Sequence, residues 1–445
     1  MSLLGEIEKH ATVAWAERGV LRFITAGSVD DGKSTLIGRL LHDTHAIMED
    51  QFAAVARASV KRGALETDLS LFTDGLEAER EQGITIDVAY RYFTTPRRKF
   101  IIADTPGHEQ YTRNMVTGAS TADAAIILLD ARKGLLAQSK RHLLLANLLG
   151  IRHIIVAVNK MDAVDYSRTV FESVKADFER FAAPLAIAGL VFIPVSALRG
   201  DGVVERSAHM DWYAGPTLLE VLENTASGAQ TAHQPFRFPV QRVSRDKDTR
   251  GYAGRIAAGQ VMTGDEIVVL PSGQRSRIRS ITAPDGKRAL AAAGDSVTLT
   301  LADEIDISRG DMLASAARPP RVTENATVTL CWLAQEPLRV GARYVLRHTA
   351  RTVKAQVTAV HAHLDIHTLE KRARAGEVTL NDIVHATLVL QQPIFADAYA
   401  TTAATTAAAT ATAAATAAAA TTRVMGAFVL IDEVSNQTVA AGMID

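Results

Sequence analysis

At 445 residues the chain exceeds what a single hydrophobic core ordinarily fills, so two or three domains are expected. Lys and Arg number 48 against 49 Asp and Glu, a formal net charge of −1, which gives no global positive field pointing to nucleic acid. The one cysteine, Cys331, excludes an internal disulfide and fits a reducing, cytoplasmic setting, and no window of about 20 strongly apolar residues offers a membrane span.

Met1 to Arg22 mixes Glu6, Glu8, Lys9 and Glu17 with apolar residues, lacks the apolar core and cleavage site of a signal peptide, and reads as a short helix. From Arg22 to about Thr225, short apolar runs (Phe100–Ala103, Ala124–Leu129, His153–Val158) alternate with helix-like stretches. That is the βα signature of a parallel sheet covered on both faces. Each run ends in a polar loop that carries a motif, and ligands of such sheets sit beyond the carboxyl ends of the strands, so the motifs converge in space.

The first motif is Gly27, Ser28, Val29, Asp30, Asp31, Gly32, Lys33 and Ser34, between the strand Leu21–Ala26 and a helix pattern beginning at Thr35. It matches the phosphate-binding loop. Its glycines let backbone N–H groups wrap phosphates at a helix N-terminus, Lys33 supplies a point charge, and the Ser34 hydroxyl can ligate Mg²⁺. Asp30 and Asp31 put two carboxylates in an anion-binding loop: either at least one holds a counterion or a switch residue, or both face solvent. Next comes the charged segment Asp74–Asp87, where Thr85 is the expected switch residue, its hydroxyl on Mg²⁺ and its backbone at the γ-phosphate; the carboxylates of Glu77–Glu81 read as a solvated charged helix running into a strand.

Asp104, Thr105, Pro106, Gly107 and His108 close the strand Phe100–Ala103. Asp104 can hold Mg²⁺ through water, the Gly107 N–H can sense a γ-phosphate, and His108 is expected to orient the attacking water, although a lone histidine can also be structural. Asn159, Lys160, Met161 and Asp162 end the strand His153–Val158; the Asp162 carboxylate can accept both the N1–H and the exocyclic amine of guanine, a donor pair adenine lacks, so GTP is selected. Ser196, Ala197 and Leu198 can set a backbone N–H on guanine O6. The catalytic candidates are thus Lys33, Thr85 and His108, and the metal candidates Ser34, Thr85 and Asp104.

Ala226–Gln234 is small and polar, a linker. Beyond it, short alternating segments are punctuated by turns at Thr263–Asp265, Leu270–Gly273, Pro284–Gly286 and Arg309–Asp311, a barrel pattern. Pro319–Pro320 marks a further boundary, after which a second barrel follows, interrupted at about 398–422 by a tract of almost pure Ala and Thr for which disorder is expected. His361, His363 and His367 read as strand and loop residues, and Arg97–Lys99 as a charged hairpin turn. The expected fold class is an α/β P-loop GTPase domain (1–228) followed by two all-β barrel domains (229–319 and 320–445).

Gly83-Ile-Thr-Ile86 and Asp104–His108 are similar to the translation-elongation-factor class of GTPases. Within that class, Gly27–Leu41, Thr73–Asp87, His108–Ser120, Trp212–Leu219, Phe238–Val243, Arg250–Gly254 and Val269–Gly273 resemble the large, GTPase subunit of bacterial sulfate adenylyltransferase over nearly the whole chain. The resemblance implies GTP and Mg²⁺ as cofactors and a separate small subunit of ATP-pyrophosphatase type as partner, in a heterodimer or higher assembly. The resemblance implies that this subunit makes adenosine 5′-phosphosulfate and pyrophosphate from ATP and sulfate, driven by GTP hydrolysis on the large one, in sulfate assimilation; from the charge balance and the lack of an apolar span, neither nucleic acid nor membrane is expected as a partner. The fused adenylylsulfate kinase of some relatives would need a second phosphate loop, which is absent. The Ala/Thr tract and His348–Val353 depart from the family's pattern. Two alternatives stand beside this reading: a translation factor, whose loop would be expected to read Val-Asp-His, and a free-standing regulatory GTPase.

Overall fold

The computed structural model describes residues 19–61, 67–72, 85, 87–151, 153–185, 187, 189–226, 234–246, 249–373, 376–399 and 423–445. The N-terminal segment up to residue 18, for which a helix is expected, most of the charged segment around Thr85, residues 227–233 of the expected linker and the tract 400–422 lie outside them. The chain divides into two compact units, 1–227 and 228–445.

In the first unit, six strands form one sheet: β1 (Val20–Ala26), β2 (Ala89–Thr94), β3 (Lys99–Asp104), β4 (Ala124–Asp130), β5 (His153–Asn159) and β6 (Gly189–Pro194). Their order is β2-β3-β1-β4-β5-β6. All neighbours are parallel except β2, which returns antiparallel along β3. Every residue of β4 is buried, as a strand covered on both faces requires. Because β1 begins at Val20, Arg22 is a strand residue and not the end of an N-terminal helix. The helices are α1 (Lys33–Asp43), α2 (Glu49–Lys61), α3 (Thr112–Ala119), α4 (Ala137–Leu148), α5 (Arg168–Ala182) and α6 (Leu218–Asn224). On α1, Leu36, Ile37, Leu40 and Leu41 recur at helical spacing and are buried against the sheet core. A capping box of Thr217 and Glu220 starts α6.

The hairpin joining β2 to β3 is the expected turn, with Thr95 and Arg98 exchanging backbone hydrogen bonds. Arg98 nevertheless departs from a solvated charge. It is buried, and its guanidinium donates to the carbonyls of Leu222 and Thr225, tying the hairpin to α6.

The second unit holds two sheets. One runs β7 (Arg237–Pro239), β16 (Met312–Ser315), β11 (Glu266–Leu270), β12 (Arg275–Ala283), β15 (Ser296–Leu301), β9 (Thr249–Arg255) and β8 (Arg242–Asp246), with β13 (Gly286–Arg288) on β12. A bridge from Arg237 to Ala258 brings its first strand back to the end of β9 and closes it around Phe238, Val240, Tyr252, Ile267 and Leu299. A short pair, β10 (Gln260–Met262) and β14 (Leu290–Ala292), lies beside it. The other sheet orders β18 (Arg343–His348), β22 (Ala427–Ile431), β23 (Thr438–Ile444), β17 (Arg321–Trp332), β21 (Ile383–Ala396) and β19 (Arg351–Leu364), with β20 (Lys371–Ala373) on β19, and closes where β18 pairs β19. Val328, Leu330, Trp332, Leu346 and Val357 fill it. The α/β domain followed by two β barrels is the expected fold class.

Alternation explains how the barrels join. Ile267 and Val269 of β11 face their own barrel, so Val268 and Leu270 must face outward. These outward residues pack with Met312 and Ala314 against Phe395 and Met425 of the second barrel. Arg237 spans the same seam with both carboxylate oxygens of Asp397, at 2.9 and 3.0 Å. The chain leaves the second barrel at Tyr399, whose N–H donates to the Ile444 carbonyl at 2.6 Å, and returns through the one-turn helix α7 (Arg423–Gly426). A Cβ on Gly426 would lie 2.8 Å from Tyr399 Cα, so the two ends of the Ala/Thr tract meet. In the same barrel His361 Nε2 bonds Thr387 Oγ1 at 2.8 Å, and the His367 N–H donates to Asp365 Oδ1 at 2.7 Å.

Candidate functional site: five loops at one end of the sheet

The loops after β1, β3, β4, β5 and β6 leave the carboxyl ends of strands on either side of β1, where the chain order reverses across the sheet. The first wraps from Gly27 to Gly32 and delivers Lys33, Ser34 and Thr35 as the first turn of α1. Gly32 has φ 92°, and a Cβ there would fall 2.5 Å from Asn159 Nδ2, so only glycine fits. Gly107 allows a second close approach, since a Cβ would meet Lys33 Nζ at 2.5 Å. The loops after β1 and β3 therefore touch through glycine.

Lys33 is buried and its ammonium donates to the carbonyls of Gly27 and Ser28 at 3.1 and 3.2 Å, bridging the loop. Burial lowers its pKa, while the Asp104, Asp31 and Asp30 carboxylates oppose that. The two adjacent aspartates separate. Asp30 is exposed at φ 67°, with its carbonyl accepting from Lys160 Nζ. Asp31 is buried, which excludes the reading that both face solvent. Its Oδ2 accepts the Ser28 N–H at 2.6 Å, folding the loop on itself. Burial pushes its carboxyl up to about 6 against the opposing pull of that N–H and of Lys33.

Asn159, at the end of β5, stitches two loops together: Nδ2 donates to the Asp31 carbonyl at 2.8 Å and Oδ1 accepts the Ala197 N–H at 2.9 Å. Ser196 Oγ donates to Asp162 Oδ1 at 2.6 Å, fixing the carboxylate that can read a guanine edge. Met161 is buried and its N–H donates to the Val195 carbonyl, holding the turn against the end of β6. Lys160 also pairs Asp130 Oδ2 at 3.0 Å. Burial would raise the Asp130 carboxyl, but the Arg132 side chain and N–H, together with Lys160, hold it below the usual carboxylate range.

On the hydrolytic side, Asp104 is buried at the end of β3 and its Oδ1 accepts from Thr25 Oγ1 at 3.1 Å. Thr105 is fully buried and its hydroxyl donates to the Thr25 carbonyl at 2.7 Å, so its side chain braces β3 against β1 while its backbone and Pro106 lead into Gly107. His108 is half-buried, its Nδ1 accepting the Gln110 N–H at 3.3 Å. Thr85 is half-buried too, and its flanking residues lie outside those described. A buried carboxylate and a hydroxyl on the first helical turn are oxygen donors that suit Mg²⁺, which takes few protein ligands and completes its shell with phosphate oxygens and water.

Four residues of this end escaped the sequence reading: Thr25, Arg39, Asp130 and Arg132. Arg39 reaches from α1 to the carbonyls of Ala197 and Leu198. His142, on α4, is buried, and burial followed by the Lys33 and Arg141 charges pushes it down to about 3, so it stays neutral.

Residues 18–227 match the family model described as the elongation factor Tu GTP binding domain, and residues 325–421 match the GTP-eEF1A C-terminal domain-like model. The chain is 51% identical over 440 residues to sulfate adenylyltransferase subunit 1 of Laribacter hongkongensis, covering 98% of this chain and 87% of that one. Against the subunit 1 of Cellvibrio japonicus it is 48% identical over 431 residues, with 96% and 87% covered. The bifunctional enzyme CysN/CysC of Mycobacterium tuberculosis is 50% identical over 431 residues, with 96% of this chain and 67% of that one covered.

Proposed function

This chain belongs to the sulfate adenylyltransferase subunit 1 family, within the elongation factor Tu class of GTPases, and from that premise we propose how its site hydrolyses GTP and what that hydrolysis drives. It is the GTPase subunit of ATP sulfurylase: hydrolysis of GTP drives formation of adenosine 5′-phosphosulfate and pyrophosphate from ATP and sulfate. The subunit number in its relatives' names implies a partner subunit. That partner is a small subunit of ATP-pyrophosphatase type, which performs the adenylyl transfer in a cytoplasmic heterodimer or higher assembly. The functional domains divide at 1–228, 229–319 and 320–445.

The observation that carries the guanine reading is the Asn159 amide, which holds the phosphate loop and the Ser196–Leu198 loop in one network with Asp162. Gly27 to Gly32 bind the β- and γ-phosphates through backbone N–H groups, and Lys33 turns from the loop carbonyls to their oxygens. Ser34, Thr85 and Asp104 hold Mg²⁺, directly or through water; bound there, it neutralises charge on the phosphate oxygens. The Gly107 N–H meets the γ-phosphate, and His108 orients the attacking water. Asp162 accepts from guanine N1–H and N2–H, and a backbone N–H of the Ser196–Leu198 loop donates to O6.

Asp162→Asn tests this directly, because the donor and acceptor roles at the base edge swap together. The variant is expected to lose GDP and gain xanthosine diphosphate in an equilibrium titration. A variant that still prefers GDP would contradict the assignment of the base site.

A further inference from the structure

Arg39 lies on α1, the helix whose first turn carries Lys33 and Ser34, and its guanidinium leaves that helix for the loop after β6. Nε donates to the Ala197 carbonyl at 3.1 Å and Nη2 to the Leu198 carbonyl at 2.5 Å. One planar fork thus holds two consecutive carbonyls, which a compact ammonium cannot reproduce. The fork is itself aimed. Asp43, one turn on, lies 3.6 Å from Nη1, and His42 Nδ1 is 2.7 Å from the same carboxylate oxygen. Gly200, at φ 90°, closes the loop over the pair, since a Cβ there would sit 3.5 Å from both Arg39 Cδ and Asp43 Oδ2.

The two carbonyls belong to peptides whose N–H groups point the other way. Donation to the Ala197 carbonyl fixes and polarises the Leu198 N–H, and donation to the Leu198 carbonyl does the same for the Arg199 N–H. The Arg199 N–H donates to Ser196 Oγ at 3.2 Å, and Ser196 Oγ donates to Asp162 Oδ1 at 2.6 Å. A continuous hydrogen-bonded path therefore runs from Arg39 to the carboxylate that faces the base edge.

We propose that Arg39 is a positioning residue that sets the selectivity for guanine by orienting both base-reading elements, the Ser196–Leu198 backbone and the Asp162 carboxylate. The proposal rests on the guanine reading of the site given above. It also makes α1 the shared support of both ends of the nucleotide, with phosphate ligands on its first turn and the base loop hung from its second.

A brace that merely stabilised the fold would weaken every nucleotide alike, whereas a base-positioning residue weakens guanine nucleotides selectively. The experiment is equilibrium titration of the full chain with GDP and with ADP, for the wild type, Arg39→Ala and Arg39→Lys. In Arg39→Ala the GDP affinity is expected to fall about tenfold while the weak ADP affinity is unchanged, so the ratio falls about tenfold. Arg39→Lys, which can serve one carbonyl but not both, is expected to lose roughly threefold, and it carries the same comparison if the alanine variant does not fold. A GDP-to-ADP ratio unchanged from wild type in the folded variants would overturn the role of Arg39 and leave the guanine reading intact. A wild-type chain that bound ADP as well as GDP would overturn the guanine reading, and this proposal with it.

Discussion

Asp31 is the residue whose environment departs furthest from what its position in the sequence suggests. A carboxylate in an anion-binding loop is disfavoured, yet here it is buried with its Oδ2 on the Ser28 N–H, and burial pushes its pKa up to about 6 from 3.8. Between those values the folded chain binds more protons than the unfolded one, so the contribution of Asp31 to stability falls as pH rises from about 4 to about 6 and is level above that. The Asp31→Asn variant has no such titration, and its amide oxygen can still accept the Ser28 N–H. In urea unfolding across pH 4 to 7.5, the variant is expected to gain on the wild type as pH rises, reaching roughly 3 kcal/mol at most; a pH-independent difference would mean that Asp31 is not held protonated. His108 makes a different demand at the same scale. Single-turnover hydrolysis by His108→Ala should slow by about 10²- to 10⁴-fold with GTP binding intact, and an unchanged rate would remove it from the mechanism.

Elements explain which parts of the site were legible in the sequence. Each proposed phosphate- or base-facing motif sits where an apolar run ends, so strand pattern plus residue type was enough to place Lys33, Asp104, Asn159 and Asp162 at one end of the sheet. Arg39 was invisible because its partners lie 158 and 159 positions away, and nothing in a helix pattern marks an arginine whose fork leaves the helix. Thr25 was invisible for the same reason, since a threonine in an apolar strand announces no bond to a carboxylate 79 residues on. Arg98 reads as one of three solvated turn charges until α6 supplies the carbonyls that bury it. The Ala/Thr tract belongs to this scale too. Tyr399 and Gly426 are in contact, so the chain leaves the second barrel and returns to it at one place. Deleting Ala400–Thr422 should leave GTP hydrolysis and the thermal unfolding midpoint unchanged, whereas a lowered midpoint would show that the tract supports the second barrel.

At the scale of the whole molecule, the proposed nucleotide site lies at one end of one sheet, in the first of the two units. The paired barrels share the packing of Val268, Leu270, Phe395 and Met425 and the buried grip of Arg237 on Asp397, which makes them one body within the second unit. Nothing in the described residues gathers three or more His, Cys, Asp or Glu side chains for a transition metal, and no helix among them is long and apolar enough to cross a membrane. In the proposed function the bond made in sulfate activation forms on a partner subunit, with this chain supplying the energy of GTP hydrolysis. The direct test mixes the purified chain with the small subunit, ATP and sulfate, and follows adenosine 5′-phosphosulfate with GTP present, absent, or replaced by a non-hydrolysable analogue. The account predicts net synthesis only with hydrolysable GTP and only with both subunits. Equal synthesis without GTP, or by the small subunit alone, would contradict it.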